Sequence, residues 1–134
     1  MARIPAGTSE LRNAFWQHGQ KDHPVSGHLL LFYAVECGLK SVYLRRNRLQ
    51  TTDQIPQDQD RGHDLARWIK ELRLPASVLS AGATFRLARD GSCYGIEMAH
   101  QAWRYGVVVE GADEASLLEY LRNVQNWIQE ALQQ

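Results

Sequence analysis

His28-Leu-Leu-Leu-Phe-Tyr-Ala-Val-Glu-Cys-Gly-Leu-Lys40 is the stretch from which the rest of the chain is best read. Seven consecutive apolar residues, Leu29 to Val35, leave no polar face. A helix built from them has to be enclosed by other elements. Glu36 closes the run and Lys40 follows one turn later. A carboxylate in such a helix is costly unless a cation or several donors meet it. A partner for Glu36 is therefore expected elsewhere in the fold. Arg104, on a later and largely apolar helix, is the natural one.

Outward from this segment the chain reads as helices throughout. Thr8 or Ser9 can cap a first helix that places Leu11, Ala14 and Phe15 on one face and ends near Gly19. Pro24 suits the first turn of the second, expected from about Ser26 to Arg46 and roughly 31 Å long. Gln50 to Arg61 is polar, contains Pro56 and reads as a loop. A third helix starts near His63-Asp64, carries Leu65, Trp68, Ile69 and Leu72 on one face, and stops before Pro75. The small residues Ser77, Ser80, Ala81, Gly82 and Ala83 suggest a short helix or turn. A fourth helix is expected from Tyr94 to Tyr105, followed by an extended Gly106–Gly111. The last opens at Asp113 and repeats Leu117, Leu121, Val124, Ile128 and Ala131, a bundle seam. Its length of about 30 Å matches the second helix, as expected of antiparallel neighbours. The expected fold class is all-α: one domain over residues 1–134, an up-and-down bundle of four to five helices.

Composition excludes some classes of function. Lys plus Arg and Asp plus Glu each number 15, so net charge gives no global case for nucleic acid. The charge is unevenly spread: residues 110–134 hold five acids and one cation, Arg122. Twelve of the 15 cations are arginine, the residue suited to forked pairing with carboxylate or phosphate. Cys37 and Cys93 show no metal spacing and read as two reduced thiols, Cys37 on the buried helix. His18, His23 and His28 are five apart, not the three or four that puts ligands on one helical face, so no metal and no cofactor are expected. The N-terminus lacks the apolar region of a secretion signal, and no apolar run is long enough to span a bilayer. A cytoplasmic protein without membrane partners is expected.

Several groups could carry chemistry. His100 and Arg104 are four apart and share a helical face, as an acid/base group and a phosphate clamp, with Glu36 as the third candidate catalytic residue, unless Arg104 serves only to neutralise Glu36. Arg12 and His18 are the less favoured pair, because six positions apart they point to different faces. His63 and Asp64 in Gly62-His-Asp-Leu65 read mainly as a structural loop-to-helix junction. Candidate RNA contacts are Arg45, Arg46, Arg48 and Tyr105, with Arg61 and Arg67 as further members of the basic cluster.

These motifs, taken in order, resemble a known family. Glu10-Leu11 on the first helix is followed by the Ala34-Val-Glu-Cys-Gly-Leu-Lys40 helix. Gly62-His-Asp-Leu65, Trp103-Arg-Tyr105 and a long amphipathic final helix come after it. The chain is similar over most of residues 8–132 to the HEPN superfamily (higher eukaryotes and prokaryotes nucleotide-binding). The resemblance implies a helical bundle, usually homodimeric, in bacterial RNA-processing, toxin–antitoxin or antiviral defence systems. Active members are metal-independent endoribonucleases with a composite Arg/His site at the dimer interface; many others only bind RNA or a partner. Here Arg122-Asn123 on the late helix has no histidine after it, and His100 precedes Arg104 in reversed order. The expectation is therefore an RNA- or partner-binding module, with the endoribonuclease as the alternative. A protein partner would dock on the acidic helix at residues 113–132.

Overall fold

The computed structural model describes residues 3–79 and 83–133. Two long helices, α2 (Pro24–Arg46) and α5 (Gly111–Gln133), pack most extensively against each other. Each has 23 residues, about 35 Å of helix. Around them lie α1 (Thr8–Gly19), α3 (Leu65–Glu71) and α4 (Ala99–Tyr105). Pro24 opens α2 with its missing N–H in the first turn, where no helical partner exists for it anyway. Asp64 caps α3, its carboxylate accepting from the Arg67 N–H at 3.2 Å.

α2 and α5 run parallel. His28 lies beside Glu114 at 3.7 Å, Gly38 packs against Ile128, and Arg45 donates to the Leu132 carbonyl. Sequence numbers thus rise together along the pair, which corrects the antiparallel expectation. The chain segment between them explains it. α4 ends against the start of α2, where the Trp103 ring lies 5.5 Å from that of His28. α5 therefore starts at the end of the bundle where α2 also started.

The chain is mostly helical, as expected, with one addition that the sequence reading did not include, a small hairpin. β1 (Thr84–Arg86) and β2 (Cys93–Gly95) pair antiparallel, with Phe85 opposite Tyr94. The turn signal is Asp90-Gly91: Asp90 accepts from the Ser92 N–H at 2.9 Å, and Gly91 has φ +71°. Phe85 and Leu87 alternate inward, and Leu87 bridges Val109 in the extended segment before α5. Arg86 clamps the hairpin to the start of α5 through a forked pair with Asp113, Nε to Oδ2 at 2.9 Å. Tyr94 stacks on Phe85 at 6.0 Å instead of opening a helix, so α4 begins only at Ala99. Ser77 lies in a turn. Ser80, Ala81 and Gly82, read as a short helix or turn, lie outside the described residues.

The core joins Phe32, Val35 and Leu39 of α2 to Trp68 of α3, Trp103 of α4, and Leu117, Leu121 and Val124 of α5. The apolar run of α2 is not enclosed on every side, because Leu30 stands 68% exposed. On α1 only Ala14 is buried; Leu11 and Phe15, expected on the inner face, are exposed beside Trp16. No helix among the described residues is long and apolar enough to cross a membrane.

α1 is held where it is by Gly106, the left-handed residue that ends α4 at φ +76°. A Cβ there would lie 2.1 Å from the Glu10 carbonyl oxygen and 3.0 Å from the Ala14 nitrogen. Both are backbone atoms and cannot rotate aside. Gly106→Ala is expected to lower unfolding free energy by well over the roughly 1–2 kcal/mol of left-handed strain alone. Gly91→Ala meets nothing within 4 Å and should cost only that strain. Equal losses for the two variants in urea denaturation would show that α1 does not seat on α4 as described.

Candidate functional site

Among the described residues Glu36 is the one polar or charged side chain in the core, 7% exposed. Its carboxylate is met from two sides. Lys40 Nζ donates to Oε2 at 3.0 Å from one turn along α2. His63 Nδ1 lies 2.9 Å from Oε1 and comes from the loop that leads into α3. The expected partner, Arg104, is elsewhere: it is exposed, with its guanidinium 5.4 Å from the centre of its neighbour Tyr105's ring. The physical reason is reach. α4 presents Ala102 and Trp103 to the core, which turns Arg104 outward, while the His63 loop passes over Glu36.

That loop is pinned at Gly62, immediately before His63. The Gly62 N–H donates to Asp60 at 2.9 Å, and the Gly62 carbonyl accepts from the Trp68 indole at 2.9 Å. With Nδ1–H given to Glu36, the His63 ring exposes Nε2, and its side chain is 69% solvent-accessible. Carboxylate-anchored imidazoles are held in one tautomer and one orientation by this arrangement.

A second imidazole faces the first. The His100 ring, in the first turn of α4, lies 6.0 Å from that of His63 and 5.0 Å from that of Phe32. Burial against α2 pushes its pKa below the ordinary value, and the neighbouring His63 adds to this. The Glu97 backbone and the Glu36 charge oppose the shift, while Arg104 reinforces it slightly. His100 Nδ1 is buried without a partner in hydrogen-bond geometry.

Three grooves adjoin one another along this face. A cleft of about 500 Å³ holds His63, His100 and Gln101, with Arg61 and Arg67 on one wall and Glu97 on the other. Past Gln101, a groove of about 570 Å³ carries Arg3, Arg104, Tyr105 and Leu11. On the other side, Arg61 and Arg67 also border a groove of about 440 Å³ with Lys70, Glu71 and Arg73. His100 and Gln101 are shared by the first two grooves, Arg61 and Arg67 by the first and third.

The remaining candidates are placed differently. His18 Nε2 contacts the Trp103 carbonyl at 2.9 Å, and its Nδ1 contacts Ser26 at 2.7 Å, so it ties α1 to α4 and α2. Arg12 is exposed on α1 and makes no ion pair among the described residues. Arg46 donates to the Leu72 carbonyl at 2.7 Å and lies over the Trp127 ring. Arg45 holds the end of α5, and Arg48 is exposed just past the end of α2. The acidic helix carries a shallow groove with Glu119, Asn123, Trp127 and Glu130. Cys37, expected to be buried, is exposed, as is Cys93. Sequence reasoning took His63 and Asp64 for a structural junction and missed the meeting of His63 with Glu36 and His100. The available signal was a histidine next to a glycine, just before a helix cap.

Comparison of the chain with family models, with curated proteins and with solved structures finds no match.

Two outcomes follow from this geometry. Glu36→Gln keeps the shape but removes the charge that Lys40 and His63 address. It is expected to cost about 2 kcal/mol, read by urea denaturation, and to free the His63 ring, read by its NMR line shape. A variant as stable as the parent would mean the carboxylate anchors nothing. His100 titrates lower in the folded chain than in the unfolded chain, whose histidines titrate near 6.5. His28, its pKa lowered chiefly by burial, behaves the same way. The unfolded chain thus binds more protons below about pH 6.5, so stability is full above it and is lost as pH falls toward the folded values. Thermal scans between about pH 5.5 and 7 should show this slope, and His100→Gln should flatten it; an unchanged slope would contradict the assignment.

Proposed function

We propose that this chain is a HEPN-like RNA-binding module of a prokaryotic RNA-processing, toxin–antitoxin or antiviral defence system, holding a single strand along the track that crosses His100. One observation carries the reading: the cleft and the Arg104 groove share His100 and Gln101. Arg67, Arg61, His63, His100, Arg104 and Arg3 therefore border one path. Guanidinium groups take phosphate oxygens in forked pairs. Tyr105, exposed beside Arg104, supplies a face for base stacking, which favours an unpaired strand over a duplex. The acids of the cleft are partly engaged: Asp60 accepts from Gly62 and Asp64 caps α3.

A second reading, a metal-independent endoribonuclease, is favoured by the imidazole pair. His63 is oriented by Glu36, and burial keeps His100 neutral near pH 7. Two such groups can divide the work of strand cleavage. The neutral ring takes the proton of a ribose 2′-hydroxyl as that oxygen attacks the neighbouring phosphorus; the other, as imidazolium, protonates the departing 5′-oxygen. Both imidazoles here belong to one chain, so this version needs no shared cleft. Homodimer formation, which the family resemblance implies, is a separate matter for light scattering.

The test uses single-stranded RNA with a 5′-hydroxyl end and a chelator. Anisotropy should show binding that weakens with salt, with a log–log slope of about −3 for about four phosphate contacts. Arg104→Gln and Tyr105→Ala should each weaken it about tenfold. Binding that is absent, or indifferent to both substitutions, rejects the track. Cleavage abolished by both His63→Gln and His100→Gln would establish the nuclease; intact RNA, or cleavage surviving either change, would reject it.

A further inference from the structure

The groove on the far side of Arg61 and Arg67 is not needed to hold a strand at His100, and its charge is unusual for this neutral chain. It is bordered by Arg61, Arg67, Lys70, Arg73 and Glu71, four cations against one carboxylate. The acids nearby do not neutralise it. Arg61 reaches Glu71 only at 3.7 Å and Arg67 reaches Asp64 at 3.5 Å. Lys70 and Arg73 have no carboxylate partner among the described residues. Like charges gathered in one groove repel each other and are stabilised by a bound anion.

Arg73 is also held at a conformational cost. α3 ends in a paired turn, with Arg73 N–H donating to Lys70 O at 3.1 Å and Leu74 N–H to Ile69 O at 3.3 Å. The residue after the cap in this turn is left-handed and most often glycine. Here it is an arginine at φ +57°. The end of α2 has the same turn with Arg48 at φ +54°, so a cation at a helix C-terminus accounts for part of the choice. Only at Arg73 does that cation join three others around a groove.

We propose that the Arg61–Arg67–Lys70–Arg73 groove binds a linear oligophosphate. A phosphodiester inside a strand offers one charge per nucleotide, whereas an oligophosphate puts several on adjoining phosphorus atoms. Four cations around about 440 Å³ match the second density. Two sources share this chemistry: the 5′-triphosphate end of an RNA and a free nucleoside triphosphate. The groove opens through Arg61 and Arg67 into the His63 cleft, so an RNA anchored by its 5′ end would feed its first nucleotides toward His100. That version rests on the strand track proposed above; the oligophosphate site itself does not.

The experiment uses the full chain and, as probe, inorganic tripolyphosphate against orthophosphate at equal ionic strength, read by calorimetry. Tripolyphosphate should bind at least about tenfold tighter, and Lys70→Gln and Arg73→Gly should each weaken it about tenfold. Arg73→Gly relieves the left-handed strain, so the variant should melt no lower than the parent, and its loss of binding cannot be ascribed to misfolding. Equal binding of the two anions, or tripolyphosphate binding that survives Arg73→Gly, overturns the proposal. Two copies of one RNA, with 5′-triphosphate and 5′-hydroxyl ends, then separate the sources. A preference for the triphosphate copy that Arg73→Gly abolishes assigns the RNA end. Equal affinity for the two copies, with tripolyphosphate still bound, supports the free nucleotide. Failure of both RNAs to bind while tripolyphosphate does rejects the strand track and leaves the groove assignment standing.

Discussion

The carboxylate of Glu36, held between Lys40 and His63, is the constraint on which the candidate site depends. It sits in the helix that supplies much of the core, where an unpaired charge would be untenable. Lys40 comes from the same helix and brings no new element with it. His63 comes from a loop 27 residues on, so satisfying the charge also fixes that loop over α2. The loop carries Arg61 into place and leads directly into α3, which carries Arg67, Lys70 and the arginine beyond its end. One buried charge thereby positions a whole wall of the cleft.

α4 supplies the opposite wall for a different reason. Its inner face is apolar, with Ala99, Ala102 and Trp103 buried. His100 flanks that face, half-buried against Phe32, and Arg104 is turned fully outward. The two residues were paired in the sequence because a spacing of four suggests a shared target. They do share the Arg104 groove, but His100 also faces His63. The ridge they make is what joins the grooves. The hairpin and the Arg86–Asp113 clamp fix where α5 begins, and Gly106 lets α1 close against the back of α4.

Much of the fold was readable from periodicity and helix-end chemistry. Pro24, Asp64 and the Leu117–Ile128 seam located three helices to within a few residues. The hairpin was hidden because Thr84–Leu87 is short and small residues precede it; the Asp90-Gly91 turn was its legible mark. The helix expected from Tyr94 begins later because Tyr94 is taken up in the hairpin, opposite Phe85 and stacked on it. The direction of α5 relative to α2 could not be read from matching lengths, which are the same for parallel and antiparallel neighbours.

The sequence by itself determined that a helix too apolar to stand alone carries a charge requiring an answer, and that most cations of the chain are arginines. Local rules suffice for this, because capping, periodicity and the cost of burying a carboxylate act within a few residues. Which group answers Glu36 was decided only in three dimensions. Arg104 and His63 were both available, and the choice fell to the loop that crosses α2, because α4 had already committed its inward face to the core. The meeting of His63 with His100, and of four cations around one groove, likewise follows from packing between elements distant in the chain.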